Sequence, residues 1–303
     1  NKANEIFENL LDQFPEEYVS YVNYAMFLSE VGNIEKAKKI HFDALKKFKN
    51  TLSFQQLCEM GEIQKGNKIM TFKFKTPHFS LVIGSNGTIG TACKEALTSA
   101  GSEVILMDYD LPKTKSANMF LKCDVTNIEE VINAAKKIMK IDSLIYAAGL
   151  NYDAKVIDTN WNEYRKLMSV NLDGAFHIGS VFGKKMAQQK SGSFIFLSSF
   201  AGLRGEAGAS VYSATKFGLI GFMESFAAEM TSFNVRVNAI CPGNVDSPML
   251  KQVAKDIAKR NNLSAQNIYN EMKNSGAARR FVNPNEVADL AVFLSSNQST
   301  GIT

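Results

Sequence analysis

Histidine and cysteine are scarce in this chain of 303 residues. There are three histidines (His41, His78, His177) and four cysteines (Cys58, Cys93, Cys123, Cys241), and no two cysteines form a Cys-x-x-Cys pair. Neither residue type recurs at metal-ligand spacing, so no metal site is expected. Cysteines this dispersed do not staple a small secreted domain. Buried free thiols at Cys123 and Cys241, and a reducing, cytoplasmic setting, are the expectation. No uninterrupted apolar run reaches the roughly 20 residues of a membrane span. The opening Asn-Lys-Ala-Asn-Glu lacks the charged-then-apolar layout of a signal peptide. Net charge is only +4, and runs such as Lys46-Lys47-Phe48-Lys49 read as solvated helix faces, not as a nucleic-acid footprint. The chain begins without Met and stops at Thr300-Gly-Ile-Thr303, which reads as part of something longer.

Hydrophobic residues make up 45% and charged residues 21%, the balance of a soluble globular protein. Near the start the sequence repeats itself: residues 3–14 match residues 37–48 at an offset of 34. That period belongs to a helix–turn–helix repeat in which each helix pair buries its apolar face against the next. Tyr21, Tyr24, Ala25 and Leu28 recur at helical spacing between the copies, and Gly32-Asn33 marks the turn. Residues 1–60 resemble a tetratricopeptide repeat, which implies a docking surface for a protein partner. A generic helical hairpin is the plainer alternative. Gly61, Gly66 and Pro77 punctuate a linker over residues 61–77, with a short strand possible around Met70, Phe72 and Phe74.

From residue 78 the pattern changes. Apolar strands over residues 80–83, 103–107, 119–123, 143–146, 193–197 and 236–240 alternate with longer helical segments. Such alternation predicts an α/β domain with a doubly wound parallel sheet over residues 78–303. The first strand runs into Gly84-Ser85-Asn86-Gly87-Thr88-Ile89-Gly90. Glycines there let the backbone approach a pyrophosphate, which sits on the free N–H groups of a helix N-terminus. Asp108 ends the next strand, eighteen residues after Gly90. A carboxylate there binds both ribose hydroxyls of NAD and repels the 2′-phosphate of NADP, so NAD(H) is preferred over NADP(H). Asp124-Val125 closes the third strand and would meet the adenine. Ala147-Ala148-Gly149 closes the fourth with residues small enough for close approach.

Tyr212 and Lys216 stand four residues apart, on one helix face, and Ser199 lies thirteen residues before the tyrosine. An ammonium one turn away lowers a phenol's pKa, and a phenol so tuned can pass a proton to or from a carbinol oxygen. Together these motifs make the chain from Phe79 onward resemble the short-chain dehydrogenase/reductase family. The resemblance implies a Rossmann-type fold, a nicotinamide cofactor and hydride exchange between an alcohol and a carbonyl. It implies that Asn171, Ser199, Tyr212 and Lys216 are the catalytic residues. Asn171 would hold a water that links Lys216 to solvent, and Lys216 would also bind the nicotinamide ribose. Within the segment 241–247, Pro242, Gly243, Val245 and Ser247 would touch the nicotinamide. A homo-dimer or tetramer is implied as well, joined through helices that carry Phe217, Phe222 and Phe226.

Three positions depart from the family pattern. Thr88 stands where many members have glycine, Tyr146 replaces an asparagine, and the sequence stops before the family's last strand. His177 reads as a satisfied, partly buried imidazole, and Trp161, Tyr164 and Met168 as core. Residues 251–274 read as a helical lid. A small-molecule alcohol or carbonyl is the expected substrate. Two other readings stay open: an interaction protein whose Rossmann domain senses NAD, and one module of a larger enzyme.

Overall fold

A computed structural model describes residues 76–111 and 118–303, together with Lys36 and Lys39. The chain divides into two units, Asn1–Lys73 and Phe74–Thr303, and the second is described below. The repeat expected over residues 1–60, apart from Lys36 and Lys39, and the strand expected near Met70 lie outside the described residues.

Six parallel strands form one sheet in the order β3-β2-β1-β4-β5-β6. They are β1 (Phe79–Ile83), β2 (Glu103–Asp108), β3 (Phe120–Lys122), β4 (Ser143–Tyr146), β5 (Gly192–Leu197) and β6 (Val235–Ile240). β1 reads FSLVI and β5 GSFIFL, near-continuous apolar runs rather than alternations. Such runs suit strands covered on both faces, and the fold supplies both covers. On one side Phe194, Phe196 and Leu144 pack with α2 (Ile128–Lys136), α4 (Gly174–Gln189) and α5 (Ser210–Thr231). On the other, Val82, Ile145 and Ile195 pack with α1 (Thr88–Ser99) and α8 (Pro284–Ser295).

Helix ends follow local chemistry. Asn127 caps α2 by accepting from the N–H groups of Glu129 and Glu130, two acids that also suit the positive end of the helix. Asn283 and Glu286 form a capping box ahead of Pro284 in α8. α3 (Trp161–Met168) runs through a π turn, Ser169–Asp173, into α4. After β6 come α6 (Pro248–Asn261) and α7 (Ala265–Ser275), a helical hairpin over most of the span read as a lid.

Strand bounds agree with the sequence reading to about a residue, except that β3 is shorter. The Asp124 carboxylate turns back to accept from Thr126 N and Oγ1 at 2.9 and 2.8 Å, so the chain leaves the ladder before Asp124-Val125. β6 is an edge strand. Thr303 Oγ1 accepts from Val237 N at 3.0 Å, and Ile302 O from Asn238 Nδ2 at 3.0 Å. α3 departs from expectation: only Leu167 is buried, whereas Trp161 is 63% exposed and stacks on Tyr164. Its apolar residues face two directions, and α5 takes only one. Among the described residues, no helix is long and apolar enough to cross a membrane.

Candidate active site

Strand order reverses between β1 and β4, and the crevice beyond the carboxyl ends of such strands is where a doubly wound sheet binds ligands. Gly84 leaves β1 with φ +76°, and a side chain there would strike the backbone of Ala147 and Ala148. A Cβ at Gly90 would strike the carbonyl of Gly84. The turn is therefore packed backbone on backbone. Gly87 caps α1 without a side chain, and no acid occupies the first turn, so the N–H groups and the positive dipole stay open to an anion. Ser85 Oγ is buried beside this turn with no partner. An orphaned hydroxyl at an open helix N-terminus fits a phosphate-bearing nucleotide. Thr88 does not disturb the turn: it opens α1 and is partly exposed.

Asp108 ends β2, as expected. Its Oδ2 accepts from Asn86 N at 2.8 Å and its Oδ1 from Asp110 N at 3.2 Å. Each oxygen keeps capacity for a hydroxyl donor, in an orientation fixed by the glycine turn itself. Val125 O bonds His177 Nδ1 at 2.9 Å, which gives that imidazole the satisfied place the sequence suggested. Val245 bridges to Val282. That bridge uses Asn244 O and Asp246 N, leaving Val245's own N–H and C=O outside it. Ser247 Oγ caps α6 by accepting from Leu250 N at 3.2 Å, so its proton remains free to donate.

Asn171, Ser199, Tyr212 and Lys216 converge beyond β4 and β5. Asn171 is wholly buried in the π turn. Its Oδ1 accepts from Leu150 N (2.8 Å), and its Nδ2 donates to Leu150 O (2.9 Å) and Thr215 Oγ1 (3.0 Å). Both amide protons are thus spent on protein. The side chain positions the loop after Gly149 and has no N–H left for the water expected there. A Cβ on Gly149 would lie 3.5 Å from Lys216 Nζ and 3.6 Å from Asn171 Oδ1, so glycine leaves the space between them open. Of the paired serines, Ser198 is buried and donates to Lys216 O at 3.1 Å, whereas Ser199 Oγ accepts from Ala201 N at 3.2 Å and lies beside the Tyr212 phenol.

Lys216 is tied to β5 and faces the Tyr212 ring. Its Nζ donates to Leu197 O at 2.8 Å and lies 5.6 Å from the centre of the Tyr212 ring. Burial raises the tyrosine pKa, and only the Ser199 bond opposes it. Burial also lowers Lys216, to about 8. Cys241 sits beside this group, bonded to the Ser198 side chain and the Ser199 backbone; it is only half-buried, unlike Cys93 and Cys123. Thr215, Leu150 and the Leu197 carbonyl are members of the site that the sequence did not single out. Thr215 at least had a signal, since it adjoins Lys216.

Tyr146, where an asparagine was expected, donates to Val170 O at 2.5 Å and ties β4 to the π turn. A Cβ on Gly174 would come within 2.6 Å of that hydroxyl. Among the described residues, no cluster of three or more His, Cys, Asp or Glu is placed to hold a metal.

The buried ammonium has a measurable consequence. Below about pH 8, folded and unfolded chains both carry the Lys216 proton, and the fold bears the full cost of burying it. Between about 8 and 10.5 only the unfolded lysine keeps its proton, so stability recovers as pH rises. Lys216→Met is expected to be more stable than the parent at pH 7, by on the order of 2 kcal/mol, and to lose that advantage by pH 10. Urea unfolding at both pH values checks it. Comparing variant with parent at each pH cancels Cys93 and Cys123, whose burial raises them to about 12 and 11 and acts the opposite way above pH 9. An advantage independent of pH would mean that the ammonium is not buried at a cost.

Comparison with known proteins agrees with this geometry. The short chain dehydrogenase family model matches residues 79–258. The 3-oxoacyl-acyl-carrier-protein reductase FabG of Rickettsia felis is 32% identical over 74% of this chain and 91% of its own. Carbonyl reductase family member 4 of Xenopus tropicalis is 30% identical over 70% and 89%. Among solved structures, the ligand-free aldohexose dehydrogenase of Thermoplasma acidophilum superposes with a TM-score of 0.70 at 26% identity, covering 76% of this chain and 92% of that one. An NAD+-bound xylitol dehydrogenase gives 0.70 at 26%, over 74% and 94%. With its glycine turn, its Asp108 and its converging quartet, the chain belongs to the short-chain dehydrogenase family of NAD(P)-dependent oxidoreductases.

Proposed function

We propose that this protein interconverts a secondary alcohol and a ketone, with NAD(H) as the preferred cofactor and Tyr212 as acid/base. The observation that carries the reading is Tyr212 beside both Ser199 and Lys216, the lysine Nζ 5.6 Å from the centre of its ring and next to Gly149, in the loop that packs on the Gly84–Gly90 turn. When bound, the nicotinamide supplies or accepts the hydride. Gly84, Ser85, Asn86, Gly87, Thr88, Ile89 and Gly90 would hold its pyrophosphate side. Asp108 would take the adenosine ribose, and Asp124 and Val125 would border the adenine. Ala147, Ala148 and Gly149 give the cofactor room. Gly243 and Val245 would meet the carboxamide through backbone groups and Ser247 through its hydroxyl, while Pro242, whose carbonyl accepts from Phe200 N at 2.9 Å, would border it. Ser199 hydrogen-bonds the reacting oxygen, an electrostatic role that strengthens as charge develops there. Lys216, already held by Leu197 O, has donors left for the ribose.

Preference for NAD(H) rests on Asp108. Its carboxylate is aimed by two backbone N–H groups, and no arginine lies beside it in sequence to receive a phosphate. Parallel calorimetric titrations should show NADH binding at least about tenfold more tightly than NADPH, since like charges brought together cost several kcal/mol. Asp108→Ala should narrow that ratio to within about threefold. Equal affinity in the parent would end the cofactor assignment. Failure to bind either would end the oxidoreductase reading.

A further inference from the structure

Apart from Tyr269, whose ring packs on Phe281, the α6–α7 hairpin buries its apolar side chains among themselves. Ala254, Ala258 and Ile268 form a small cluster separate from the two cores of the sheet. A segment that shares little apolar contact with its domain is held by its polar fastenings and opens at low cost. Near β6 those fastenings are short-range: Tyr269 Oη donates to Asp246 Oδ1 at 2.6 Å, and Asn244 Nδ2 to Met272 O at 2.9 Å.

The far end of α6 is fastened differently. Arg260, in its last turn, donates from Nη1 to Asp153 Oδ1 and forms an ion pair. Asp153 lies four residues beyond Gly149, and its side chain is only 6% exposed against 25% for Arg260. The neighbouring Ala154 N donates to Gly208 O at 2.8 Å. Gly208 has φ +87°, and a Cβ there would lie 2.9 Å from both Arg260 Nη2 and Asp153 Oδ2. Glycine is required at that point by backbone and by space. Two residues later α5 begins, with Tyr212 in its first turn. Three segments bordering the site therefore meet at one ion pair: the loop after β4, the loop before α5 and the end of the hairpin.

We propose that Asp153 and Arg260 form a latch, which holds the α6–α7 hairpin closed and sets the two loops where a carbonyl substrate meets Tyr212. The proposal rests on the oxidoreductase reading above. Both are positioning residues, acting through the loops they hold. Removal of one partner leaves a buried charge uncompensated, and opening of the hairpin relieves it. The latch thus predicts local opening rather than general unfolding.

Two measurements on the full chain test it. Lys255 and Lys259 are exposed on α6, and trypsin reaches their peptide bonds only when the helix opens. Asp153→Asn and Arg260→Gln should each speed cleavage there at least about fivefold while cleavage elsewhere keeps its rate. The double variant should be no faster than the quicker single variant, because one interaction has been removed twice. Arg260→Lys should restore part of the protection. With ethyl acetoacetate as probe ketone, the single variants should raise KM about tenfold, with kcat and NADH affinity within about threefold. Unchanged cleavage in both single variants would overturn the latch. So would effects that multiply in the double variant, or faster cleavage throughout the domain, the mark of a merely structural pair. If the parent turns over no ketone, the oxidoreductase reading fails, and proteolysis alone still decides whether the pair holds the hairpin.

Discussion

Replacement of Tyr212 by phenylalanine is expected to lower ketone reduction at least about a thousandfold and to leave NADH affinity within about twofold. The ring stays in place, so packing is kept. The loss is the one hydroxyl that lies beside Ser199 and is able to deliver a proton. Positioned proton transfer contributes about 10²–10⁴ in rate, and no other acid of the site stands in for the phenol. Ser199 keeps its hydroxyl but has an alcohol's proton affinity, and Lys216 is bound to Leu197 O. The directions of the two shifts add a pH signature. Burial raises Tyr212, so the proton is already on the phenol at neutral pH, the state that reduction needs. Reduction by the parent should therefore be flat between about pH 6 and 8 and fall as the phenol ionises in the alkaline range. Single-turnover rates across that range, with NADH binding measured in parallel, check both parts. A phenylalanine variant that retains a tenth of the activity would remove Tyr212 from the acid/base role.

Gly90→Ala should abolish measurable dinucleotide binding, with at least about a hundredfold loss of affinity. Helix propensity argues the other way, because alanine improves a helix interior by about 1 kcal/mol over glycine. Sterics decide the case. The added methyl would strike the carbonyl of Gly84, whose own φ of +76° and contact with Ala148 leave it nowhere to move. Overpacking of this kind costs about 1–3 kcal/mol, and here the strain falls on the turn that presents the N–H groups of α1. Calorimetry with NADH and a thermal melt separate the two effects. Wild-type affinity in a folded Gly90→Ala protein would show that this turn does not cradle the phosphates.

What could be read from the sequence was whatever is local. Apolar runs placed the strands because a sheet covered on both faces needs them, and Asp108 and Tyr212–Lys216 were placed by fixed spacing along one strand or helix. What escaped is set by partners distant in the chain. Leu197 O accepts from Lys216 at the end of another strand, a partner that helical spacing does not reveal. Ser198 and Ser199 are alike as letters, and only the family resemblance singled out Ser199; α5 sets the difference, since Lys216 O takes the Ser198 hydroxyl and Tyr212 lies beside Ser199. Trp161 recurs at helical spacing with Tyr164 and Met168, but periodicity does not say which side α5 will cover. The pairing of Asp153 with Arg260 spans 107 positions and leaves no trace in either neighbourhood.

Positions 146 and 174 make up one steric unit. The phenol of Tyr146, together with the Val125 side chain, fills the volume that any side chain at Gly174 would need, while its hydroxyl holds the π turn through Val170 O. Mutational history at these sites is therefore conditional: a larger residue at 174 is admissible only after 146 has shrunk and Val125 has given way, and a smaller 146 leaves a void bordered by 174 and Val125. Neither change is neutral by itself, so a lineage that carries this tyrosine is held to this glycine until both are exchanged together.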